Sequence, residues 1–409
     1  RGNPRNTWAK PRKYPRGPPK TRNPDPGSKT GHGGCEKKMA FILLYIVKNV
    51  YVTHYPSTSH SDISLLRLFN KGNWGMVTWP TEYGGRCCDL IEWLIFEEEY
   101  YRAGAPLRVN QNGIFLLAPT LMEYGTPEQK ARFIPAMASG DEIWAQGWSE
   151  PNAGSDMAAI RCRADREGDE FVINGQKIWS TRAVYADWVF GLFRTDPESS
   201  RHHGLSKILV PLNSEGVTVR PIRQLNGLPG FAEIFFDNVR VPAFNLLGGE
   251  NEGWRIAMAT AGFERGLMLR SPARFQQASK RLVELYREHG SDVIDPAIES
   301  AVVRCYMDAE AYALSTYQTA SKLCSGGSIG AEASCNKIFW SEMDLLIHET
   351  AMNLLGAKAE IEPETAADFA ELGSWLDGFM FAQSGPIYAG TNEIQRNIIA
   401  ERVLGMPRK

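Results

Sequence analysis

A glutamate on an apolar stretch of helical periodicity is the first residue in this chain equipped for chemistry. Glu264 follows Phe263 and precedes Leu267 and Met268. Apolar surroundings raise a carboxyl pKa because burial disfavours the charged form. That suits a general base working near neutral pH. The ordinary alternative is a surface glutamate making an i,i+4 contact. Arg265 stands beside it. Farther on, Tyr388-Ala389-Gly390 lead into Thr391, placed as the N-cap of a last helix that also carries Glu393. A helix N-terminus suits an anionic ligand, although plain capping accounts for Glu393 equally well. Gln146, Trp148, Ser149 and Ser155 surround Pro151-Asn152-Ala153-Gly154, where the two serines are either ligand contacts or turn hydroxyls. Trp179-Ser180-Thr181 puts one large ring beside two hydroxyls; such a tryptophan often fills a core instead. The histidines show no ligand spacing and the cysteines no Cys-x-x-Cys, so no metal site is expected.

These residues need elements to hold them. Residues 74–142 read as helical. The segment 90–103 has apolar residues at helical spacing with acids on the other face. Thr126-Pro127-Glu128-Gln129 is a helix start, with Thr at the N-cap, Pro in the first turn and Gln three residues on. Gly140 is placed to end that helix. After Trp144 the period shortens. Phe171-Val172-Ile173, Asn174-Gly175 and Gln176 onward read as a hairpin with the favoured two-residue turn. Short β-rich runs follow at 188–193, 208–212, 217–222 and 234–241. Helical periodicity returns over 254–270, 273–288, 296–325, 328–356 and 391–404, with Pro272 expected to end or kink the first of these.

The expected fold is α+β. A disordered basic tail (1–38) precedes an N-terminal helical domain (40–142), a middle small antiparallel β-barrel (143–250) and a C-terminal helical bundle (251–409). The tail is rich in Arg, Lys, Pro and Gly and lacks the apolar surface to offset ordering. Hydrophobic residues are 43%, charged residues 22% and net charge −2 across 409 residues, which is the profile of a globular protein without a global field for nucleic acid or membranes. Seven cysteines without a pairing pattern suit a reduced, cytoplasmic setting. Residues 40–52 are apolar but fall short of the roughly 20 needed to span a bilayer. They start late for a secretory leader and lack its cleavage pattern.

Three runs, in order, resemble signatures of the acyl-CoA dehydrogenase family. They are Trp144-Ala145-Gln146-Gly147-Trp148-Ser149-Glu150-Pro151-Asn152-Ala153-Gly154-Ser155-Asp156, then Asn174-Gly175-Gln176-Lys177-Ile178-Trp179-Ser180-Thr181, then Gly385-Pro386-Ile387-Tyr388-Ala389-Gly390-Thr391-Asn392-Glu393-Ile394-Gln395-Arg396. The resemblance implies the family's architecture of helical domain, β domain and four-helix bundle, with FAD as cofactor. It implies that Gln146, Trp148 and Ser149 contact the flavin ring, that Ser155 lies near the CoA pantetheine arm, and that Trp179 packs on one flavin face. Ser180 and Thr181 would sit beside it, with Thr181 near N5, and Thr391 and Glu393 against the FAD. Tyr388, Ala389 and Gly390 would meet the substrate.

Most of the family carries a catalytic glutamate where this chain has Ala389. A minority places it on a bundle helix, and Gly262-Phe263-Glu264-Arg265-Gly266-Leu267 resembles that arrangement. The resemblance therefore assigns the base to Glu264, a substrate-side role to Arg265, and a backbone N–H donor for the thioester oxygen to Ala389. The implied activity is α,β-dehydrogenation of an acyl-CoA, with electrons passing to an electron-transfer flavoprotein. The implied assembly is a dimer or tetramer of this chain, or a heteromer. Two alternatives stay open: a non-catalytic FAD- or CoA-binding subunit of a heteromeric dehydrogenase, and a flavin oxidase or monooxygenase. Where family members often carry Arg-x-x-Phe-Gly, this chain reads Tyr286-Arg287-Glu288-His289-Gly290-Ser291-Asp292.

Overall fold

The computed structural model describes residues 66–105, 108–265, 271–289, 295–361 and 374–407, without the side chains of 263–265. The expected basic tail, the apolar stretch 40–52 and the side chains of Glu264 and Arg265 therefore lie outside it. Helix α1 (Leu90–Arg102) begins at a capping box: Asp89 accepts from the N–H groups of Ile91 and Glu92, and Glu92 accepts from that of Asp89. Its buried face carries Trp93, Leu94, Phe96, Glu97, Tyr100 and Tyr101, the i, i+3, i+4, i+7 pattern of an amphipathic helix. A π-helical turn (Asn112–Leu117) runs into α2 (Ala118–Tyr124). Helix α3 (Pro127–Ser139) has the expected Thr126–Gln129 capping box and stops at Gly140, whose φ of 76° an L side chain resists.

Eight strands form the middle domain: β1 (Trp144–Gly147), β2 (Arg163–Glu167), β3 (Glu170–Thr181), β4 (Trp188–Arg194), β5 (Leu205–Pro211), β6 (Val217–Arg223), β7 (Pro229–Pro242) and β8 (Leu246–Leu247). They make one sheet in the order β6-β7-β3-β2-β4-β5-β8, with β1 attached to β4. Pairing is antiparallel except for β1–β4 and the short β2–β4 contact, which are parallel.

The expected hairpin at Asn174-Gly175 is not formed. β3 passes straight through these residues, and the turn lies earlier, between β2 and β3. The Asn-Gly pair sits at a bulge, where the register with β7 shifts between Ile173 and Gly175. Asn174 Oδ1 accepts from the Asn238 N–H at 2.8 Å, closing the gap. Pairing β3 with β7 along nearly its whole length outweighs the local turn preference of two residues. Gly175 has φ 137°, and a Cβ there would lie 2.7 Å from Cys162 Sγ. Gly175→Ala is expected to destabilise by about 1–3 kcal/mol, read as a lower urea midpoint.

Six helices complete the described chain: α4 (Gly253–Arg265), α5 (Pro272–His289), α6 (Pro296–Cys324), α7 (Ala333–Leu355), α8 (Ser374–Ala382) and α9 (Asn392–Ile398). Pro272 is the first residue of α5, where its missing N–H leaves no intrahelical bond unmade. Helix α8 has no counterpart in the sequence reading. Phe275, Leu282, Cys305, Ala309, Trp340, Ile347, Leu354 and Trp375 form the bundle core. A second core runs from α2 and α3 into the sheet through Leu117, Leu121, Phe133, Trp144, Phe190 and Ile256, joining all three domains. No helix of the described residues is long and apolar enough to cross a membrane.

Candidate active site

The first two signature runs are joined by a buried ion pair. Lys177 on β3 is fully buried, and its Nζ donates to Leu192 O at 2.6 Å and Glu150 Oε1 at 2.8 Å. Glu150 also accepts from the N–H groups of Arg161 and Cys162 at 2.7 and 2.9 Å. The Ile178 N–H donates to Ser149 O at 2.9 Å. The segment from Trp148 to Glu150 is thus bound to the C-terminal half of β3. Glu150 and Lys177 stand within the first two signature runs, and nothing in their local sequence assigns either a role. Their pairing depends on a fold that brings positions 27 residues apart together.

Beyond Lys177 the strand bulges again, with a register shift between Lys177 and Ser180 against β7. In a regular strand, side chains alternate between faces, so Trp179 would share the buried face of Lys177. The extra residue reverses this. Trp179 takes φ 58° and is 58% exposed, while Ser180 is buried. The tryptophan therefore does not fill the sheet core. Its ring meets only the edge of Phe231 among the described rings, at 6.1 Å. Thr181 is half-buried, and its carbonyl accepts from Asn112 Nδ2 at 3.4 Å.

The C-terminal loop is held from beneath. Lys337 on α7 is buried and donates to Gly385 O at 2.9 Å and Asn392 Oδ1 at 2.7 Å. Asn392 N–H reaches back to Pro386 O at 2.8 Å. Thr391 caps α9 as expected, accepting from the Ile394 N–H at 3.2 Å. Ala389 and Gly390 both have positive φ, 57° and 80°. Left-handed backbone is unfavourable for alanine, so the surrounding bonds must impose it. Gln395 Nε2 supplies them, donating to Gly390 O at 3.2 Å and Ala389 O at 3.4 Å. The N–H groups of Ala389 and Gly390 have no hydrogen-bond partner among the described residues. The Tyr388 ring packs near Trp340 and Phe381.

The remaining candidates are more open. Glu393 is exposed, and the backbone N–H and the Thr391 hydroxyl hold its carboxyl below the usual range. Ser155 is exposed beside Asp156, which pairs with Arg201. Arg287 is exposed in the last turn of α5. Glu264 and Arg265 occupy the last turn of α4, which packs on β5, α2 and the π-helical turn. No group of three or more His, Cys, Asp or Glu among the described residues is placed to hold a metal ion.

The fit of FAD can be judged from buried polar atoms that lack a partner. Gln146 Nε2, Trp148 Nε1 and Ser180 Oγ lie on the sheet side, with Gln395 Oε1 beneath the C-terminal loop. Buried polar atoms are rarely left unpaired, and those of Gln146, Trp148 and Ser180, carried by the packed β1 and β3 segments, leave polar groups for a ligand to meet. A flavin ring offers apolar faces to an exposed tryptophan and a polar edge to such donors and acceptors. The residues fit the group.

Family models match the chain in three successive stretches: acyl-CoA dehydrogenase N-terminal domain over residues 49–141, middle domain over 145–239 and C-terminal domain over 251–404. The acyl-CoA dehydrogenase IpdE1 of Mycobacterium tuberculosis is 41% identical over 335 residues, covering 81% of this chain and 84% of the relative. Among solved structures, the Tcur3481-Tcur3483 steroid ACAD superposes with TM-score 0.81 at 29% identity, covering 93% of this chain and 99% of that one. The ChsE4-ChsE5 complex from Mycobacterium tuberculosis superposes with TM-score 0.78 at 31% identity, covering 93% and 100%. Matched in all three domains, the chain belongs to the acyl-CoA dehydrogenase family, the FAD-dependent oxidoreductases of lipid metabolism.

Proposed function

We propose that this chain forms the α,β-double bond of an acyl-CoA thioester, with Glu264 as the base. The observation that carries this reading is the loop at Ala389. Its carbonyl is tied to Gln395 while its N–H has no partner among the described residues, so a donor is available without reorganisation. Such a preformed N–H stabilises the charge that develops on the thioester oxygen as the α-proton leaves. Because Ala389 has no carboxylate, proton removal falls to Glu264 on α4, with Arg265 beside it on the substrate side. Tyr388 and Gly390 border the same loop, and Ser155 lies toward the pantetheine arm. Gln146, Trp148, Ser149, Trp179, Ser180, Thr181, Thr391 and Glu393 are the residues that would hold the FAD. Bound FAD supplies the acceptor for the β-hydride. Electrons then leave to an electron-transfer flavoprotein.

The acyl group we propose is bulky and polycyclic. The support is the likeness to a structure titled a steroid ACAD, together with a base on a bundle helix, which leaves position 389 of the loop with only a methyl group. The test is a panel of straight-chain, branched and steroid-derived acyl-CoAs read by flavin bleaching. Faster bleaching by the polycyclic thioester is expected; preference for a short straight chain contradicts it.

A second reading is a heteromer in which this chain is one of two kinds of subunit. Two of the similar structures are titled with paired chains, Tcur3481-Tcur3483 and ChsE4-ChsE5. Purification of the chain alone, with FAD content and turnover measured, separates an independent homo-oligomer from an obligate partner.

A further inference from the structure

Strand β5 is buried at every position but its last, yet its third residue is a lysine. Strands buried on both faces normally read as continuous apolar runs. Lys207 is fully buried, and among the described residues Nζ donates to one partner, Thr260 Oγ1 on α4, at 2.6 Å. Thr260 Oγ1 is in turn 2.9 Å from Thr120 Oγ1 on α2, and the two hydroxyls also reach the carbonyls of Ile256 and Leu116. One side chain from each of the three domains meets at this point. The groups around the amine from the packed elements are the Phe190 ring of β4, Thr260 and Ile256 of α4 and Thr120 of α2, with Leu247 of β8 paired beside it. None of these is ionisable. Burial alone pushes the amine down from 10.5 to about 7.

An amine with no counter-ion among the described residues weakens a core that methionine would fill without that penalty. Groups buried in this way concentrate where a protein functions. Thr260 stands four residues before Glu264, on the same face and one turn along the same helix. We propose that Lys207 is a positioning residue for the reaction: through the Thr260 hydroxyl, its amine fixes α4 on the sheet and so sets the reach of Glu264. This rests on the assignment of Glu264 as the base. The neutral amine is served by the one hydroxyl. The ammonium brings three donors to the one acceptor, Thr260 Oγ1, so acidification through pH 7 loosens the anchor.

Lys207→Met tests this in the FAD-loaded protein. Its melting temperature should exceed that of wild type at pH 7. The unfolded lysine titrates near its ordinary value and the folded one near 7, so the burden is full below pH 7 and fades toward pH 10.5. The gain in melting temperature should shrink over that window. Flavin bleaching at saturating acyl-CoA should slow on the order of 10- to 100-fold, the effect of a displaced catalytic group. The dissociation constant for acyl-CoA should change little, and the acid limb of the rate profile near pH 7 should lose the part due to the amine and become shallower, leaving the part due to the base. A more stable variant with unchanged rate and pH profile overturns the proposal. Thr260→Val and Thr260→Ser provide a second route: serine should restore the rate that valine loses, and equal rates in the two overturn the proposal. Glu264→Gln run alongside separates the claims. If it bleaches normally, the base assignment fails. If it is inactive while Lys207→Met is as fast as wild type, only the role of Lys207 fails.

Discussion

Glu264→Gln is expected to retain FAD and to lose flavin reduction by acyl-CoA on the order of 10⁴-fold, the upper range for removing a general base. The substitution preserves shape and removes only the ability to take a proton. No carboxylate on the loop can replace it, because position 389 is alanine. Acyl-CoA affinity should be preserved, since the N–H of Ala389 and the residues assigned to the flavin are untouched. Loss confined to the chemical step separates a base from a structural glutamate. Bleaching at the wild-type rate would remove Glu264 from the mechanism and place the base on another residue.

Glu150→Ala should produce a large loss of stability from outside the hydrophobic cores. It leaves the ammonium of Lys177 buried with only carbonyl partners, at 2.6 and 3.4 Å. Breaking a buried ion pair from one side is destabilising by about 3–5 kcal/mol. It also frees the Arg161 and Cys162 N–H groups that the carboxylate accepts from. Because the pair joins Trp148 and Ser149 to β3, FAD content should fall along with the melting temperature. The double variant Glu150→Ala, Lys177→Met should recover part of the loss, since no unpaired charge remains. A single variant as stable as wild type would show that the pair does not hold the two signature segments together.

Local signals were legible and long-range ones were not. The Thr126–Gln129 capping box, the Gly140 stop and the Thr391 cap each depend on contacts within a few residues, and the structure forms all three. Asn174-Gly175 carries an equally strong local signal for a turn. It is overridden because β3 gains a full partner in β7 by continuing, and a bulge absorbs the irregularity. The outward tryptophan has the same origin: whether Trp179 faces the core or solvent depends on one extra residue in the strand, which alternation alone cannot supply. The Glu150–Lys177 and Lys207–Thr260 contacts join residues far apart in sequence, and nothing near either lysine signals its partner. Ala389 was legible as a missing carboxylate, but its left-handed backbone and the grip of Gln395 on its carbonyl belong to the fold.

The most direct measurement of the central claim is anaerobic mixing of the FAD-loaded protein with a steroid-derived acyl-CoA, alone and with any subunit that co-purifies. Loss of the oxidised flavin spectrum with stoichiometric 2-enoyl-CoA is expected, and no such loss in Glu264→Gln. Flavin that stays oxidised with every thioester tested, in the wild-type protein and in its assembly, would contradict it.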